Sequence, residues 1–289
     1  MGHFPVMLGE SLEFLAIRPE GTYADLTCGL GGHTGAIARQ LTTGRVISLD
    51  RDAESLELAK QNCEDCLDRI TFRQSAFSQL TETLRAIGIE KVDGILADLG
   101  VSRMQLTSPH RGFTFMQAAP LDMRMDRQQE ITAADVLNRT SERELAQLFM
   151  SLGEERRHPA ERIARALVRA RPIRDTGQLA DVVQSVVPRS GKLHPATRVF
   201  QALRMAVNDE PGELDAMLQQ APGCLAPGGR WVVIAFQSID DRKVKTVFRD
   251  LGRQSRARIL TKHVVRPSDA ETRKNSASRS AVLRALEMN

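Results

Sequence analysis

Between Thr22 and Gly100 short apolar runs alternate with segments of helical periodicity, and this alternation constrains the fold more than any other feature of the chain. TYADL leads into a glycine turn and IARQLTTG, and RVISLD into a helix over about residues 52–68. ITFRQSA leads into a helix over about 78–88, and VDGILADLG ends at a turn. Short apolar runs separated by helical segments read as buried strands joined by crossover helices. The β-α-β-α-β-α-β order predicts an α/β fold with a doubly wound, mostly parallel sheet covered on both faces. Right-handed crossovers then gather the carboxyl ends of the strands along one edge, where such sheets bind ligands.

The alternation stops after about residue 105. SPHRGFTFMQAAPLDMRMD reads as an ordered loop, and residues 132–210 as helical throughout. Thr140 and Ser141 suit a helix start ahead of Leu145, Leu148, Phe149 and Leu152. RIARALVRA places Ile163, Ala166, Leu167 and Ala170 on one face with arginines opposite. TGQLADVVQSVVP is a further helix, stopped by Pro188. The sheet resumes with LAPGGRWVVIAF, a turn and a buried strand. The expected organisation is a discontinuous α/β domain, residues 1–125 and 205–289, interrupted by an all-helical insertion, residues 126–204.

Asp25-x-x-x-Gly29-x-Gly31-Gly32 closes the first strand and opens the first helix. Glycines there let the backbone approach a ligand, and the acid at the strand end can accept hydrogen bonds from it. Asp50 closes the second strand, where a carboxylate can hold both hydroxyls of an adenosine ribose. NAD-binding and S-adenosylmethionine-binding folds share these features. No GK[ST] follows, so the loop is not a phosphate loop, and Thr34 stands where a dinucleotide fingerprint has its last glycine or alanine. The fourth strand ends Ala97-Asp98-Leu99-Gly100-Val101-Ser102, on the same edge. Asp98 and Ser102 can hold the hydrogens of a weakly nucleophilic amine and take its proton. Asp98 can equally hold the methionine or adenine end of a cofactor.

The net charge of +4 and pI near 9.1 are a mild bias, but the charge is unevenly distributed. Seven arginines stand between Arg156 and Arg174 against the single acid Glu161, and ten Lys or Arg between Arg249 and Arg284 against three acids. Such runs suit a phosphate backbone or simply form solvated helix faces. Four cysteines make no disulfide framework, and Cys63-x-x-Cys66 lacks the partners of a zinc site; it reads as two positions one turn apart on a helix. No metal is expected. No apolar run reaches the roughly 18 residues of a membrane span, and MGHFPVML has no charged segment ahead of an apolar one, so the expectation is a cytoplasmic protein with no membrane partner.

Seven further segments narrow the reading. DLTCGLGGH, LDRD, DGILADLGVS, RGFTF with PLDMRMD, HPATRVFQALRMAVN, LAPGGR and the S-x-x-DR of QSIDDRKVK occur in this order. Together they resemble the bacterial small-subunit (16S) ribosomal RNA cytosine-N4 methyltransferase family over nearly the whole chain. The resemblance implies a class I, Rossmann-like methyltransferase core with S-adenosyl-L-methionine as methyl donor. The helical insertion is then an RNA-recognition domain, the substrate lies in the decoding region of the small ribosomal subunit, and a homodimer is compatible. It also implies cofactor contacts at Gly31, Gly32, His33, Asp50, Phe77, Asp98 and Gln105, with Asp98 and Ser102 catalytic. The residues alone would assign His33 to helix capping, Phe77 to core packing and Gln105 to a loop.

The chain departs from the family pattern at Gln237, where a histidine is usual, at Arg103, at Ala118-Ala119 and at Ser276-Ala277. Asp122, Arg124 and Asp126 of PLDMRMD either tie their loop down or serve the active site. His194, Arg198 and Asn208 either line an RNA entry or bind the insertion to the core. Two other functions compete with this reading. A ribosome-assembly factor would keep the fold without catalysis, and intact Asp50 and Asp98 argue against it. An NAD-dependent oxidoreductase would want a Tyr-x-x-x-Lys pair, and the only tyrosine, Tyr23, precedes the glycine loop. No cysteine follows Asp98 closely, so the covalent route to cytosine C5 is excluded in favour of direct transfer to nitrogen.

Overall fold

A computed structural model describes residues 5–189 and 194–289, so the first four residues of the MGHFPVML stretch lie outside it. The chain opens with α1 (Leu8–Leu15), β1 (Thr22–Asp25), α2 (Gly32–Ala38), β2 (Arg45–Asp50), α3 (Ala53–Asn62), β3 (Ile70–Gln74), α4 (Leu80–Ala86) and β4 (Val92–Asp98). Next come α5 (Arg103–Thr107), α6 (Ala133–Arg139), α7 (Glu142–Ser151), α8 (Arg157–Arg169), α9 (Thr176–Val186) and α10 (Thr197–Val207). The sheet returns through α11 (Glu210–Cys224), β5 (Leu225–Ala235), α12 (Ser238–Arg253), β6 (Ala257–Ile259), α13 (Asp269–Lys274) and β7 (Val282–Met288).

The seven strands run in the order β3-β2-β1-β4-β5-β7-β6. β1 through β5 pair in parallel, and β7 alone is reversed, antiparallel to both β5 and β6. Neighbouring residues of each strand enter different cores, because side chains alternate across a sheet. Ala24, Ile47, Ile95 and Trp231 pack with α4, α11 and α12, whereas Tyr23, Val46, Leu96 and Val232 pack on the opposite face. Burial on both faces explains why these strands are apolar throughout rather than alternating.

The compact units are Met1–Gly100 with Pro211–Asn289, and Val101–Glu210. The division thus falls earlier than residue 125 and later than residue 205. Residues 101–125 go with the helices because Asn208 and Thr176 hold them there: the Met125 amide donates to Asn208 Oδ1 at 2.7 Å and the Thr176 hydroxyl donates to the Gln117 carbonyl at 3.0 Å, while fully buried Arg111 ties the segment to itself through the carbonyls of Arg124 and Met125. Phe113, Leu121 and Met123 join the same core as Leu145, Phe149, Ile163, Leu167 and Leu203. Side-chain caps start these helices where the sequence placed them. Ser141 and Glu144 close a reciprocal capping box on α7, and Asp175 caps α9. Cys63 and Cys66 are not on one continuous helix. Cys63 ends α3, and Cys66 sits in the following 3-10 turn, Glu64–Arg69, with non-helical backbone. Both are buried, and Cys63 lies under the glycine loop with Sγ 3.4 Å from the Gly31 carbonyl.

Candidate active site

In the sheet unit the carboxyl ends of β1, β2 and β4 form one edge, and each ends in an aspartate. Asp25 differs from the other two. It is fully buried, accepts from the Thr34 hydroxyl at 2.6 Å and from the Thr27 amide at 3.1 Å, and so faces inward rather than toward a ligand. The expectation that this acid contacts a ligand is corrected accordingly. Its role is to hold the glycine loop, with Thr27 as intermediary: the Thr27 hydroxyl accepts from the Asp98 amide at 2.7 Å and ties β1 to β4.

Gly31 has φ +82°, and a Cβ there would lie 2.8 Å from Cys63 Sγ and 3.3 Å from the Ala59 backbone. Both the left-handed backbone and the missing space demand glycine. The loop's Gly29 amide donates to Asp50 Oδ2 at 2.7 Å, and the Asp52 amide donates to Asp50 Oδ1 at 2.9 Å. Burial pushes the Asp50 carboxyl up to about 6, against the pull of these two donors. Each oxygen keeps a lone pair, so the pair of ribose hydroxyls of a nucleoside fits this carboxylate.

Asp98, at the end of β4, is 22% exposed, and its Oδ1 has no hydrogen-bond partner among the described residues. Burial, reinforced by Asp25 and Glu271, pushes its carboxyl up to about 8. His33, in the first turn of α2, is buried with Nε2 3.0 Å from the Val6 carbonyl. A carbonyl only accepts, so Nε2 carries the hydrogen and Nδ1 faces Asp98 Oδ2 at 3.9 Å. Glu271 accepts from the Met7 amide at 2.8 Å. The structure therefore brings Gly31, Gly32, His33, Asp50 and Asp98 together, and adds Val6, Thr27 and Glu271. None of those three carries a local sequence signal, since they come from the N-terminal segment, the loop and α13. Phe77 opens the turn Phe77–Gln79 and packs partly buried against the main core.

Ser102 and Gln105 belong to the second unit, where they cap α5 reciprocally. Gln105 N donates to Ser102 Oγ at 3.3 Å, and Ser102 N to Gln105 Oε1 at 3.0 Å. Arg124 donates to both oxygens of Asp122 and to the carbonyl of Arg127, which ties the PLDMRMD loop down. Asn208, fully buried, accepts from the Met125 amide at 2.7 Å and donates to the Met123 carbonyl at 2.8 Å. Arg198 pairs with Glu155 at 3.0 Å, and His194 Nε2 lies 3.0 Å from Gln184 Oε1. Tyr23 is buried in the sheet core with its hydroxyl accepting from the Arg18 amide at 2.7 Å, which removes it from any hydride chemistry.

A strand-end carboxylate with a lone pair left on each oxygen, a glycine backbone open to close approach and a second buried acid with an unpartnered oxygen are donor and acceptor groups that fit S-adenosylmethionine. The sheet is the doubly wound, mostly parallel one the sequence predicts, with one reversed strand. Comparison with known proteins agrees. The chain is 61% identical over 286 residues to ribosomal RNA small subunit methyltransferase H of Solibacter usitatus, covering 99% of each chain. It is 44% identical over 295 residues to the protein of that name from Acidobacterium capsulatum, covering 99% of this chain and 98% of the relative. With that of Thermotoga neapolitana the identity is 45% over 291 residues, covering 99% and 96%. The MraW methylase family matches residues 1–289, and the chain belongs to that family.

Proposed function

We propose that the protein transfers the methyl group of S-adenosylmethionine to the exocyclic N4 amine of a cytosine in the decoding region of small-subunit ribosomal RNA. The cytoplasm is the compartment, and a homodimer is the assembly the resemblance suggests. The observation that carries the reading is the unpartnered, buried oxygen of Asp98 on the edge that also holds Asp50 and the glycine loop. A buried acceptor with no donor is uncommon in a folded protein and is expected where a ligand supplies one.

S-adenosylmethionine supplies, when bound, an electrophilic methyl on a sulfonium, whose bond to sulfur breaks to leave a neutral thioether. Asp50 would hold the ribose and Gly31 and Gly32 would allow close approach, and the family resemblance assigns further contacts to Phe77 and Gln105. The cytosine amine is a poor nucleophile because its lone pair is delocalised into the ring. Ionised Asp98 accepts one of its N–H groups, which favours a localised lone pair aimed at the methyl, and takes the proton as the N–C bond forms. Ser102 offers a second acceptor for the remaining N–H. Positioning supplies the rest, since in-line transfer needs little beyond alignment.

The test is radiolabelled methyl transfer to small subunits from cells lacking the protein, followed by nucleoside analysis. The expected product is N4-methylcytidine. Label in another nucleoside would move the acceptor, and absence of label despite cofactor binding would overturn the reading.

A further inference from the structure

On the sheet unit, the far end of α12 and the edge strand β6 enclose a cavity of about 470 Å³, away from the glycine loop. Its floor is apolar, from Phe248, Ala257 and Ile259, and its rim carries Lys245, Arg249, Arg253, Lys262 and Arg284. The carboxylates that answer these five cations are few. Asp241 binds Arg284 at 2.6 and 3.0 Å and fixes that guanidinium in the wall. Asp250 is shared loosely between Arg249, at 3.5 Å, and Arg253, at 3.9 Å. Lys245 and Lys262 are exposed and have no ion pair among the described residues. Neighbouring cations are used within the fold: Lys243 binds Asp215 at 2.6 Å and Arg258 binds Glu287 at 2.9 Å.

We infer that this groove takes the phosphate backbone of the substrate RNA, as an anchoring point separate from the reacting base. The inference rests on the reading above that RNA is the substrate. Unpaired cations around a concave surface are what a polyanion rewards, through release of its condensed counterions. The apolar floor lets the long lysine and arginine stems lie flat with their charged ends raised at the rim. α12 joins the two places. It begins at Ser238, just past the carboxyl end of β5, and a rise of about 1.5 Å per residue puts Lys245 about 10 Å and Arg253 about 22 Å farther on. An RNA strand held here would be gripped beyond the nucleotide being modified.

The test compares the full chain with a Lys245→Ala/Lys262→Ala double variant and a charge-matched Lys60→Ala/Lys91→Ala control. Binding to small subunits lacking the modification is measured across a salt series, and S-adenosylmethionine binding by calorimetry. The groove variant should bind subunits about tenfold more weakly, with the log–log salt slope smaller by roughly 1.5 and cofactor affinity unchanged. An unchanged slope and affinity in the groove variant, or an equal loss in the control, overturns the groove while leaving the methyltransferase reading intact. Failure of the unsubstituted protein to bind subunits at all overturns both.

Discussion

Asp98 is buried, beside Asp25 and Glu271, with one oxygen lacking a donor, and burial first and the two acids second hold its ionisation off to about pH 8. An unfolded chain releases the same proton near pH 4, at about 3.9. Between the two values the folded state keeps a proton that the unfolded state has lost, so this group's contribution to stability falls as pH rises and has been fully lost above 8. Asp98→Asn should therefore melt higher than the parent at pH 8.5, by roughly 2–4 °C for each kcal/mol relieved, with the difference vanishing below pH 4. The same ionisation sets activity in the opposite sense: methyl transfer should rise with pH toward a plateau above 8. Asp98→Asn should lose about 100-fold or more in rate and flatten that profile. Gly31→Ala is expected to abolish measurable cofactor binding, because the left-handed backbone costs an L residue about 1–2 kcal/mol and the new methyl meets Cys63 Sγ; calorimetry with S-adenosylmethionine checks it. Asp50 and Asp98 were legible in the sequence because a parallel sheet displays its strand ends. Asp25 looks equivalent and is not, since the groups that hold it, the Thr27 amide and the Thr34 hydroxyl, take directions that only the folded loop reveals.

At the scale of elements, the strands and most helices follow from apolar periodicity and caps. The segment from Pro109 to Met125 does not, because its order comes from tertiary contacts of single side chains rather than from any period. Arg111 and Asn208 each bond carbonyls or amides of the 123–125 stretch, and Thr176 bridges the Gln117 carbonyl and the Ala119 amide at 3.0 Å each. Asn208 has its polar atoms committed within this unit, to the Met125 amide and to the Met123 and Arg204 carbonyls. Asn208→Ala should cost about 1–3 kcal/mol of stability by leaving buried backbone groups without partners. Cofactor affinity should stay unchanged, and paired denaturant melts and binding titrations separate the two effects. The cysteine pair shows the opposite failure. ESLELAKQNCEDCLDRI is helical in pattern throughout, yet the helix ends at Asn62 and tightens into a 3-10 turn. Local propensity carries no information about where α3 must stop to let β3 join the sheet.

For the whole molecule, the two units have separate apolar cores, and the single tryptophan, Trp231, lies fully buried in the sheet unit. Its fluorescence reports that unit alone. S-adenosylmethionine at about 100 times its dissociation constant should stabilise the sheet unit by about 2.7 kcal/mol and raise the fluorescence midpoint by roughly 5–10 °C. An unchanged midpoint would place cofactor binding elsewhere.

The reversed strand and its neighbours come from the last stretch of the chain, so the sheet is finished late in synthesis. β4 ends at Asp98, but its parallel partner β5 begins only at Leu225, after the entire Val101–Glu210 unit. A ribosome adding about 5–20 residues per second holds β4 without its partner for on the order of ten seconds. Throughout that interval an apolar strand edge is open to pairing with another nascent copy. The inserted helices, which form through local contacts, have time to fold first. The sheet that binds the cofactor is thus completed last, after the unit that interrupts it.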